Sequence, residues 1–431
     1  MIKRTGHADL PLHSGVVPAW LADRMRDLGT EIIEAMILQS GKKEVLRRLS
    51  DPLWFQSFGA VLGMDWHSSG ITTSVLYALK RGLNSRAREL GLVVCGGRGK
   101  YSRKTPEELL YLAEHTGMDG NSLVRSSRLA AKVDNTAVQD GFQLYQHSFI
   151  LSDEGDWTIV QQGMNTQLKT ARRYHWSSEN LQSFVENPHT GVTGENCGKI
   201  LNLADEKAEK TRDSILEFTR ENPDRLMKEI KVLVEKEENL SLVPKKNQNE
   251  NLLLIDEFGE EKKEVEIFKE VQNRDIVMPS HHDVRAEDVN LKRLGGVLVT
   301  AYESNPKNFE SLLLTPGLGP RTLQSLTLVS EIINGTPSRF SDPARFSFAH
   351  GGKDSFPFPV TCNVYDESIR ILGDAIEKSK LGYKDKSECI NRLHTAAVQI
   401  EENCSPEVDF EKAIEYEKSH SRQWGGKSVK E

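Results

Sequence analysis

Carboxylates and histidines occur at several polar positions within the first 180 residues, and these side chains are able to hold a divalent cation. The candidate catalytic residues are Asp65, His67, Asp140, His147 and His175. Metal-assisted hydrolysis of a phosphodiester needs such ligands for Mg²⁺ or Mn²⁺, together with a cation that offsets the charge of the phosphate. Asp65 and Asp140 are the predicted metal ligands, and Mg²⁺ or Mn²⁺ is the cofactor that this hypothesis expects.

Each of these residues also has a structural interpretation. Asp65 suits the cap of a helix that starts near Ile71, and His147 suits a hydrogen-bonded core position on a strand. The next predicted strand carries Gln161 and Gln162 where a restriction-type nuclease core has a glutamate and a lysine. This departure weakens the analogy with a nuclease, so catalysis is one hypothesis among several.

The clearest functional pattern lies between residues 308 and 329, where two apolar helix faces flank the turn Pro-Gly-Leu-Gly. The apolar spacing predicts a helix up to residue 314, and Pro316 and Gly317 end it. Gly319 is able to take a positive φ angle, and Pro320 suits the first turn of the following helix. The whole string resembles the helix-hairpin-helix DNA-binding motif.

This resemblance predicts a contact with a phosphate backbone. Glycines lack a Cβ atom, so the amides of the hairpin and of the next helix N-terminus can approach an anion closely. The predicted DNA contacts are Gly317, Gly319, Arg321 and Thr322. Such contacts are independent of base sequence, because phosphates position a protein but carry no base information. The alternative is a helical hairpin that serves only for packing.

Two basic stretches elsewhere are further candidates for contacts with a nucleic-acid backbone. Their residues are Arg98, Lys100, Arg103 and Lys104 in one stretch, and Arg172 and Arg173 in the other. The first stretch is a glycine-rich turn after a predicted strand at residues 92–95. It lacks the spacing of a Walker loop and has no Ser or Thr directly after the lysine, so it argues weakly for an NTPase. For the paired arginines, ion pairing is the alternative.

The elements that position these residues are predicted to be mostly helical, with a small sheet. Strand-like segments at 142–150 and 157–163 flank a turn at 153–156, which predicts a β-hairpin. Asp51 is the predicted cap of one helix, and Thr105 with Glu108 forms a predicted capping box at another. The predicted fold is α+β and helix-rich, with the β-hairpin in the first half and the helix-hairpin-helix module in the second.

The domain prediction divides the 431 residues into four consecutive segments. Residues 1–200 form an α+β domain with the candidate active site, and residues 201–275 contain a charged helix and a solvated insertion. Residues 276–384 form the helix-hairpin-helix domain, and residues 385–431 a charged C-terminal tail.

Composition narrows the functional classes. The net charge of −7 and the pI of about 6.0 exclude a uniformly basic nucleic-acid binder, so any DNA contact must come from local patches. The five scattered cysteines contain no CxxC pair and suggest neither a disulfide framework nor a zinc ribbon. No apolar run is long enough to span a bilayer, and the first residues lack the apolar core of a secretory signal, so the expected location is cytoplasmic.

Five polar strings together resemble one known family. The strings are DWHSSG at 65–70, QDGFQLY at 139–145, QQGM at 161–164, RRYHW at 172–176 and FAHGGKD at 348–354. The family is the uncharacterised archaeal and bacterial one catalogued as domain of unknown function 763. The resemblance covers nearly the whole chain except the charged stretch at 235–275, which looks like an insertion. It implies that the strings belong to one folded unit, and it leaves the function open.

The predicted function is DNA binding in DNA processing or repair, and a metal-dependent nuclease is its catalytic form. DNA, contacted through its backbone, is the predicted partner. Two alternatives are kept. One is a non-catalytic DNA-binding or scaffold protein, and the other is an enzyme acting on a nucleotide or another small molecule, in which the hairpin serves only for packing.

Overall fold

A computed structural model describes residues 10–11, 18–65, 68–166, 168–228, 230–231, 291–344 and 362–401. Within these ranges the chain is rich in helix and contains a small antiparallel sheet, which confirms the predicted α+β class. The chain forms two compact units. Of the described residues, unit 1 contains those within Met1–Val94, Thr193–Glu195 and Arg345–Glu431, and unit 2 contains those within Cys95–Val192 and Asn196–Ala344.

The described helices and strands are numbered in chain order. The helices are α1 (Ala19–Leu49), α2 (Pro52–Val61), α3 (Gly70–Ser85), α4 (Ala87–Leu90), α5 (Thr105–Thr116), α6 (Gly120–Lys132), α7 (Glu209–Arg220), α8 (Leu291–Ser304), α9 (Phe309–Leu313), α10 (Pro320–Asn334), α11 (Cys362–Lys378) and α12 (Tyr383–Glu401). The strands are β1 (Leu10–Pro11), β2 (Leu92–Arg98), β3 (Val138–Gln139), β4 (Gln143–Ser152), β5 (Trp157–Asn165), β6 (Thr170–Ser177), β7 (Gly191–Thr193), β8 (Lys199–Asn202) and β9 (Phe340–Ser341). None of the described helices combines the length and the apolar character needed to cross a bilayer.

Unit 1 is a helical assembly that combines the two ends of the chain. Helices α1 and α2 pack with α11, α2 also packs with α12, and α3 packs against α1 and α2. The buried side chains are mostly aliphatic and aromatic. Asp51 caps α2 as predicted, because its carboxylate accepts hydrogen bonds from the amides of Leu53 (2.8 Å) and Trp54 (3.2 Å). Helix α1 is interrupted at Gly41, whose φ of 83° is outside the helical region.

Unit 2 is organised around a sheet in which β6, β5, β4 and β2 are neighbours in that order. β4 and β5 pair antiparallel across the turn at residues 153–156, and β5 pairs antiparallel with β6. The register places His147, Gln161 and Tyr174 in one row across the three strands, so these side chains share one face of the sheet. A second, smaller sheet is formed by β3, β8 and β9.

The two units differ from the four consecutive segments that the sequence predicts. Residues 385–401 lie in α12 and pack in unit 1, whereas the sequence assigns them to a charged tail. The charged helix predicted within residues 201–275 is interrupted, because α7 ends at Arg220 and helical structure resumes at residues 223–228. The predicted insertion at residues 235–275 lies outside the described residues. These boundaries depend on packing between residues that are distant in sequence, so local composition does not predict them.

The start of α5 also differs from the prediction. The N-cap is Lys104, and α5 begins at Thr105 without a side-chain cap. The Thr105 hydroxyl donates to the carbonyl oxygen of Ser102 (2.9 Å), and the Glu108 carboxylate accepts from the amide of Gly96 (2.8 Å). The predicted capping box is therefore wrong, because both of its side chains bond to the preceding glycine-rich turn.

Candidate nucleic-acid interface

The turn between α9 and α10 brings two glycines toward the surface of unit 2. Gly317 is exposed and has a φ of 83°, whereas Leu318 between the glycines is buried. A Cβ atom at Gly317 would meet Val297 Cγ2 at an ordinary 3.6 Å, so the backbone angle is what favours glycine here. Gly319 has φ −129° and ψ 177°, an extended conformation that other residues also adopt. The positive φ predicted for Gly319 is therefore wrong, and it occurs at Gly317 instead.

The backbone amides of this turn meet the conditions for binding an anion. Helix α10 begins at Pro320, and its N-cap Gly319 makes no side-chain capping bond. Within the part of the chain that the structure describes, the amides of Gly317 and Gly319 donate no hydrogen bond, while the amide of Leu318 donates to the carbonyl oxygen of Thr315 (3.2 Å). A helix N-terminus without a side-chain cap leaves its first amides available to an incoming anion.

The two side chains predicted to assist this turn have different environments. Arg321 is exposed at the second position of α10. Thr322 is only 3% exposed, and its hydroxyl has no hydrogen-bond partner among the described residues. The Thr322 side chain is buried whereas the Arg321 side chain is exposed, so the contact predicted at Thr322 stays a prediction for its backbone amide alone.

Three side chains hold the turn in place. Asn308 caps α9 by accepting from the amide of Ser311 (2.9 Å). The ammonium group of Lys132, at the end of α6, donates to the carbonyl oxygen of Leu318 (2.6 Å). The amide of the Gln139 side chain donates to the carbonyl oxygen of Pro320 (2.9 Å). Burial lowers the pKa of Lys132. Lys132 thus fixes the backbone between the two glycines.

The glycine-rich turn from Gly96 to Thr105, which includes the end of β2 and a 3₁₀ helix at Gly99–Lys104, is a second basic surface of unit 2. Its four predicted contact residues are all exposed, namely Arg98, Lys100, Arg103 and Lys104. Tyr101 lies among them and is 50% exposed. The ammonium nitrogens of Lys100 and Lys104 lie 5.5 and 6.0 Å from the centroid of its ring. This arrangement places cations and an aromatic face together on the surface.

Arg172, by contrast, belongs to a buried ion-pair cluster. Its guanidinium donates to Asp140 (2.8 Å) and to Asp342 (3.0 and 2.9 Å), and all three side chains are fully buried. The hydroxyl of Tyr174 donates to the same Asp140 carboxylate (2.6 Å). A guanidinium with this environment has no route to a phosphate, so the DNA contact predicted for Arg172 is wrong.

The charges of this cluster are unequal, because one guanidinium faces two carboxylates. Burial raises the pKa of Asp140, against the attraction of Arg172. Burial also disfavours the charge on Arg172, but Asp140 and Asp342 outweigh it and raise the pKa of the guanidinium. Both directions agree if Arg172 stays charged and Asp140 holds its proton more tightly than a solvated carboxyl group does.

A second buried network is centred on Asp134, in the π-helical turn Val133–Ala137 that follows α6. Its carboxylate accepts from the side-chain amide of Gln161 (2.5 Å) and the indole nitrogen of Trp176 (2.8 Å) and contacts Nε2 of His189 (2.5 Å). The oxygen of the Gln161 amide bonds Nδ1 of His147 (2.7 Å). Gln161 therefore has a structural role, because it connects Asp134 to the buried histidine.

Two of the three histidines predicted to be catalytic, His147 and His175, are core residues. Nε2 of His147 bonds the hydroxyl of Ser127 (2.9 Å), and burial lowers the pKa of its imidazole. His175 is fully buried and accepts from Nε of Arg173 (2.9 Å). Burial lowers the pKa of Arg173, whose side chain is also inaccessible, so its predicted DNA contact is wrong.

The predicted metal ligands are not brought together in one unit. Asp65 is exposed in unit 1, and its carbonyl oxygen accepts from the amide of Ser68 (3.0 Å). Asp140 lies in unit 2 and is occupied by Arg172 and Tyr174. His67 lies outside the described residues. Among the residues that are described, no group of three or more His, Cys, Asp or Glu side chains is arranged to hold a metal ion.

Sequence reasoning missed the partners that define these environments. No local sequence pattern marks Asp342 or Lys132 as a partner. Asp342 lies 170 residues from Arg172, and Lys132 lies 186 residues from Leu318. Tyr101 could have been found from the sequence, because it is an aromatic residue in a stretch that contains four cationic residues and no acidic one.

Comparison with known proteins identifies the family of this chain. The family model described as protein of unknown function, DUF763, matches residues 6–360. The chain belongs to this family. No curated protein and no solved structure gave a significant match.

Proposed function

We propose that this protein binds double-stranded DNA through the turn between α9 and α10, without preference for base sequence, and acts in DNA processing or repair. The observation that carries the proposal is the exposed, positive-φ Gly317 next to the uncapped N-terminus of α10. Amides in this geometry are donors for a phosphate oxygen, and the helix dipole favours its negative charge.

Charge around the turn supports the same proposal. Arg321 is exposed one residue into α10, and Lys132 adds a second cation at the Leu318 carbonyl. Glu310, the acidic residue of α9, is engaged by Arg125 (2.5 Å) and by the amide of Phe184 (3.0 Å). A local positive surface is therefore compatible with the overall charge of −7.

The proposed activity is binding and does not include hydrolysis by the described residues. Asp140, His147 and His175 are buried and hydrogen-bonded within unit 2, so their placement favours a structural role. A phosphodiester hydrolase would need some of these groups to reach a substrate. The non-catalytic DNA-binding alternative is thus the one that the geometry supports best.

The substitution Arg321→Glu tests this proposal. We expect it to weaken affinity for a mixed-sequence duplex by about tenfold or more at physiological salt, because it places an anion beside the bound phosphate. The slope of log affinity against log salt should fall by about one. Fluorescence anisotropy titrations over a salt series provide the measurement.

Arg88→Glu is the matched control, since Arg88 is an exposed arginine of α4 in unit 1 and the net charge changes equally. It should leave duplex affinity nearly unchanged. Equal effects of the two variants, or no effect of Arg321→Glu, would rule out the turn as the contact.

A further inference from the structure

We infer that the glycine-rich turn from Gly96 to Thr105 is a second nucleic-acid contact and that it binds a single strand by stacking an unpaired base on Tyr101. This inference deepens the proposed function and rests on it, because it assumes that the chain binds nucleic acid. It specifies the substrate class as DNA that contains single-stranded as well as duplex segments.

The environment of Tyr101 is that of a stacking platform and not that of a core residue. Half of the residue is exposed, and Lys100 and Lys104 lie within 6.0 Å of its ring centroid. Aromatic side chains next to cations bind single strands in this way, since every base offers a π face and every nucleotide a phosphate. Bases within a duplex have both faces covered by their neighbours, so only an unpaired base has a face to offer.

The charge of the turn fits a polyanion. Four exposed cations lie within seven residues, at Arg98, Lys100, Arg103 and Lys104, and no acidic residue occurs between Gly96 and Thr105. Cations that precede and follow Tyr101 in the chain can contact the phosphates that flank a stacked base. The lack of Walker spacing makes a nucleoside triphosphate a poorer match for the same surface.

The backbone of the turn is held in one conformation. Gly96 has a φ of 84°, and a Cβ atom there would lie 2.3 Å from the carbonyl oxygen of His147 and 2.4 Å from Thr105 Oγ1. The amide of Gly96 donates to Glu108 (2.8 Å), and the hydroxyl of Ser102 donates to the carbonyl oxygen of Gly99 (2.6 Å). Anchoring of this kind reduces the entropy lost when a ligand binds. The platform is thus preformed.

The experiment measures binding of the full chain to a labelled oligothymidine, to an abasic oligonucleotide of the same length and to a duplex. We expect Tyr101→Ala to weaken binding to oligothymidine by roughly 5- to 150-fold, the range observed for the loss of one base–aromatic stack. Tyr101→Phe should retain most of the affinity, and Tyr101→Ala should change binding to the abasic strand and to the duplex little.

Tyr111→Ala is the matched control. Tyr111 is 63% exposed on the neighbouring α5, and its ring packs on His115 (4.3 Å between centroids) and not on lysine. This variant should bind oligothymidine as the unchanged protein does. Thermal unfolding of each variant checks the fold. Lys100→Ala combined with Lys104→Ala should reduce the salt slope for oligothymidine by about 1.4, since each phosphate contact on a single strand contributes about 0.7.

The outcomes separate this inference from the proposed function. Equal losses for Tyr101→Ala and Tyr101→Phe, or equal losses on the abasic strand, would overturn base stacking. If the duplex binds in an Arg321-dependent manner while oligothymidine does not bind, the inference fails and the proposed function stands. If oligothymidine binds through Tyr101 while Arg321→Glu leaves duplex affinity unchanged, the inference stands and the hairpin contact fails.

Discussion

His147 illustrates how a single buried side chain is fixed in one protonation state. The nitrogen of the Gln161 amide donates to Asp134, so its oxygen is the group that accepts from Nδ1 of His147. Nε2 is then the acceptor for the Ser127 hydroxyl. A neutral ring makes both hydrogen bonds. Burial lowers the pKa of the imidazole, which also favours the neutral form. This residue therefore serves the core and is poorly suited to exchange protons with a substrate.

The lowered pKa of His147 predicts a loss of stability in mild acid. Below about pH 6.5 the unfolded chain binds a proton at this residue that the folded chain does not bind. The free energy of unfolding should therefore fall as pH decreases, by up to about 1.4 kcal/mol per pH unit, until the pH reaches the folded pKa. Above the unfolded pKa this contribution is fully present.

Urea unfolding at neutral and mildly acidic pH checks this prediction. His147→Gln should flatten the dependence on pH, although it lowers stability overall. His115→Gln, at an exposed position of α5, should leave the dependence as it is. A parallel pH dependence in the unchanged protein and in His147→Gln would show that other groups cause it.

At the scale of the element, the turn between α9 and α10 depends on a contact from another helix. Apolar side chains at Phe309, Leu312 and Leu313 bury α9, and Leu318 anchors the turn itself. The Lys132 ammonium satisfies the carbonyl of that buried leucine. The turn is therefore held from the end of α6, so its geometry does not depend on the local sequence alone.

Lys132→Met should destabilise this element. The substitution keeps an unbranched side chain but leaves the Leu318 carbonyl without its donor, at a cost of about 1–3 kcal/mol. We expect a corresponding decrease in the free energy of unfolding and faster hydrogen exchange at the amides of residues 315–323. Both are measurable in the absence of DNA.

Arg128→Met provides the comparison, because Arg128 is exposed on the same helix and the charge lost is equal. Its effect on unfolding should be within about 0.5 kcal/mol of zero. Similar losses in the two variants would mean that Lys132 contributes only charge, and that the turn is stable without its hydrogen bond.

At the scale of the whole molecule, unit 1 joins elements from opposite ends of the chain. Arg48 of α1 pairs with Glu367 of α11 (2.5 Å), and Lys380 pairs with Glu34 (2.6 Å). Buried residues of α11, such as Ile376, complete the apolar core that α1 to α3 begin. Unit 1 therefore requires residues that follow the whole of unit 2 in sequence.

Ile376→Asp tests this dependence. Ile376 is fully buried, so the substitution places an unpaired carboxylate in the core and should cost about 3 kcal/mol or more. Ile390→Asp is the control, since Ile390 is 40% exposed on α12 and should cost much less. Thermal and denaturant unfolding of the full chain provide the measurement. If both substitutions are tolerated equally, the C-terminal helices do not contribute to the core.

Features that depend only on neighbouring residues can be predicted from the sequence. Asp51 followed by Pro52 specifies a helix start, because the capping bonds reach only two and three residues along the chain. Apolar spacing and Pro320 located the boundary of α10, and two strand-like segments around a turn located β4 and β5. The turn at Gly317 and the basic turn from Gly96 to Thr105 are visible in the sequence for the same reason, because glycine, proline and charged residues are local features.

Which polar residues are accessible depends on the tertiary structure. Arg172 and Arg173 are adjacent on β6 and lie on opposite faces of the sheet, yet both are buried because both faces of β6 are covered. The partner that fixes Arg172, Asp342, comes from 170 residues further along the chain. The local sequence gives the residue type and the face of the strand on which its side chain lies. The free energy of a buried charge depends instead on groups that folding brings to it from distant parts of the chain.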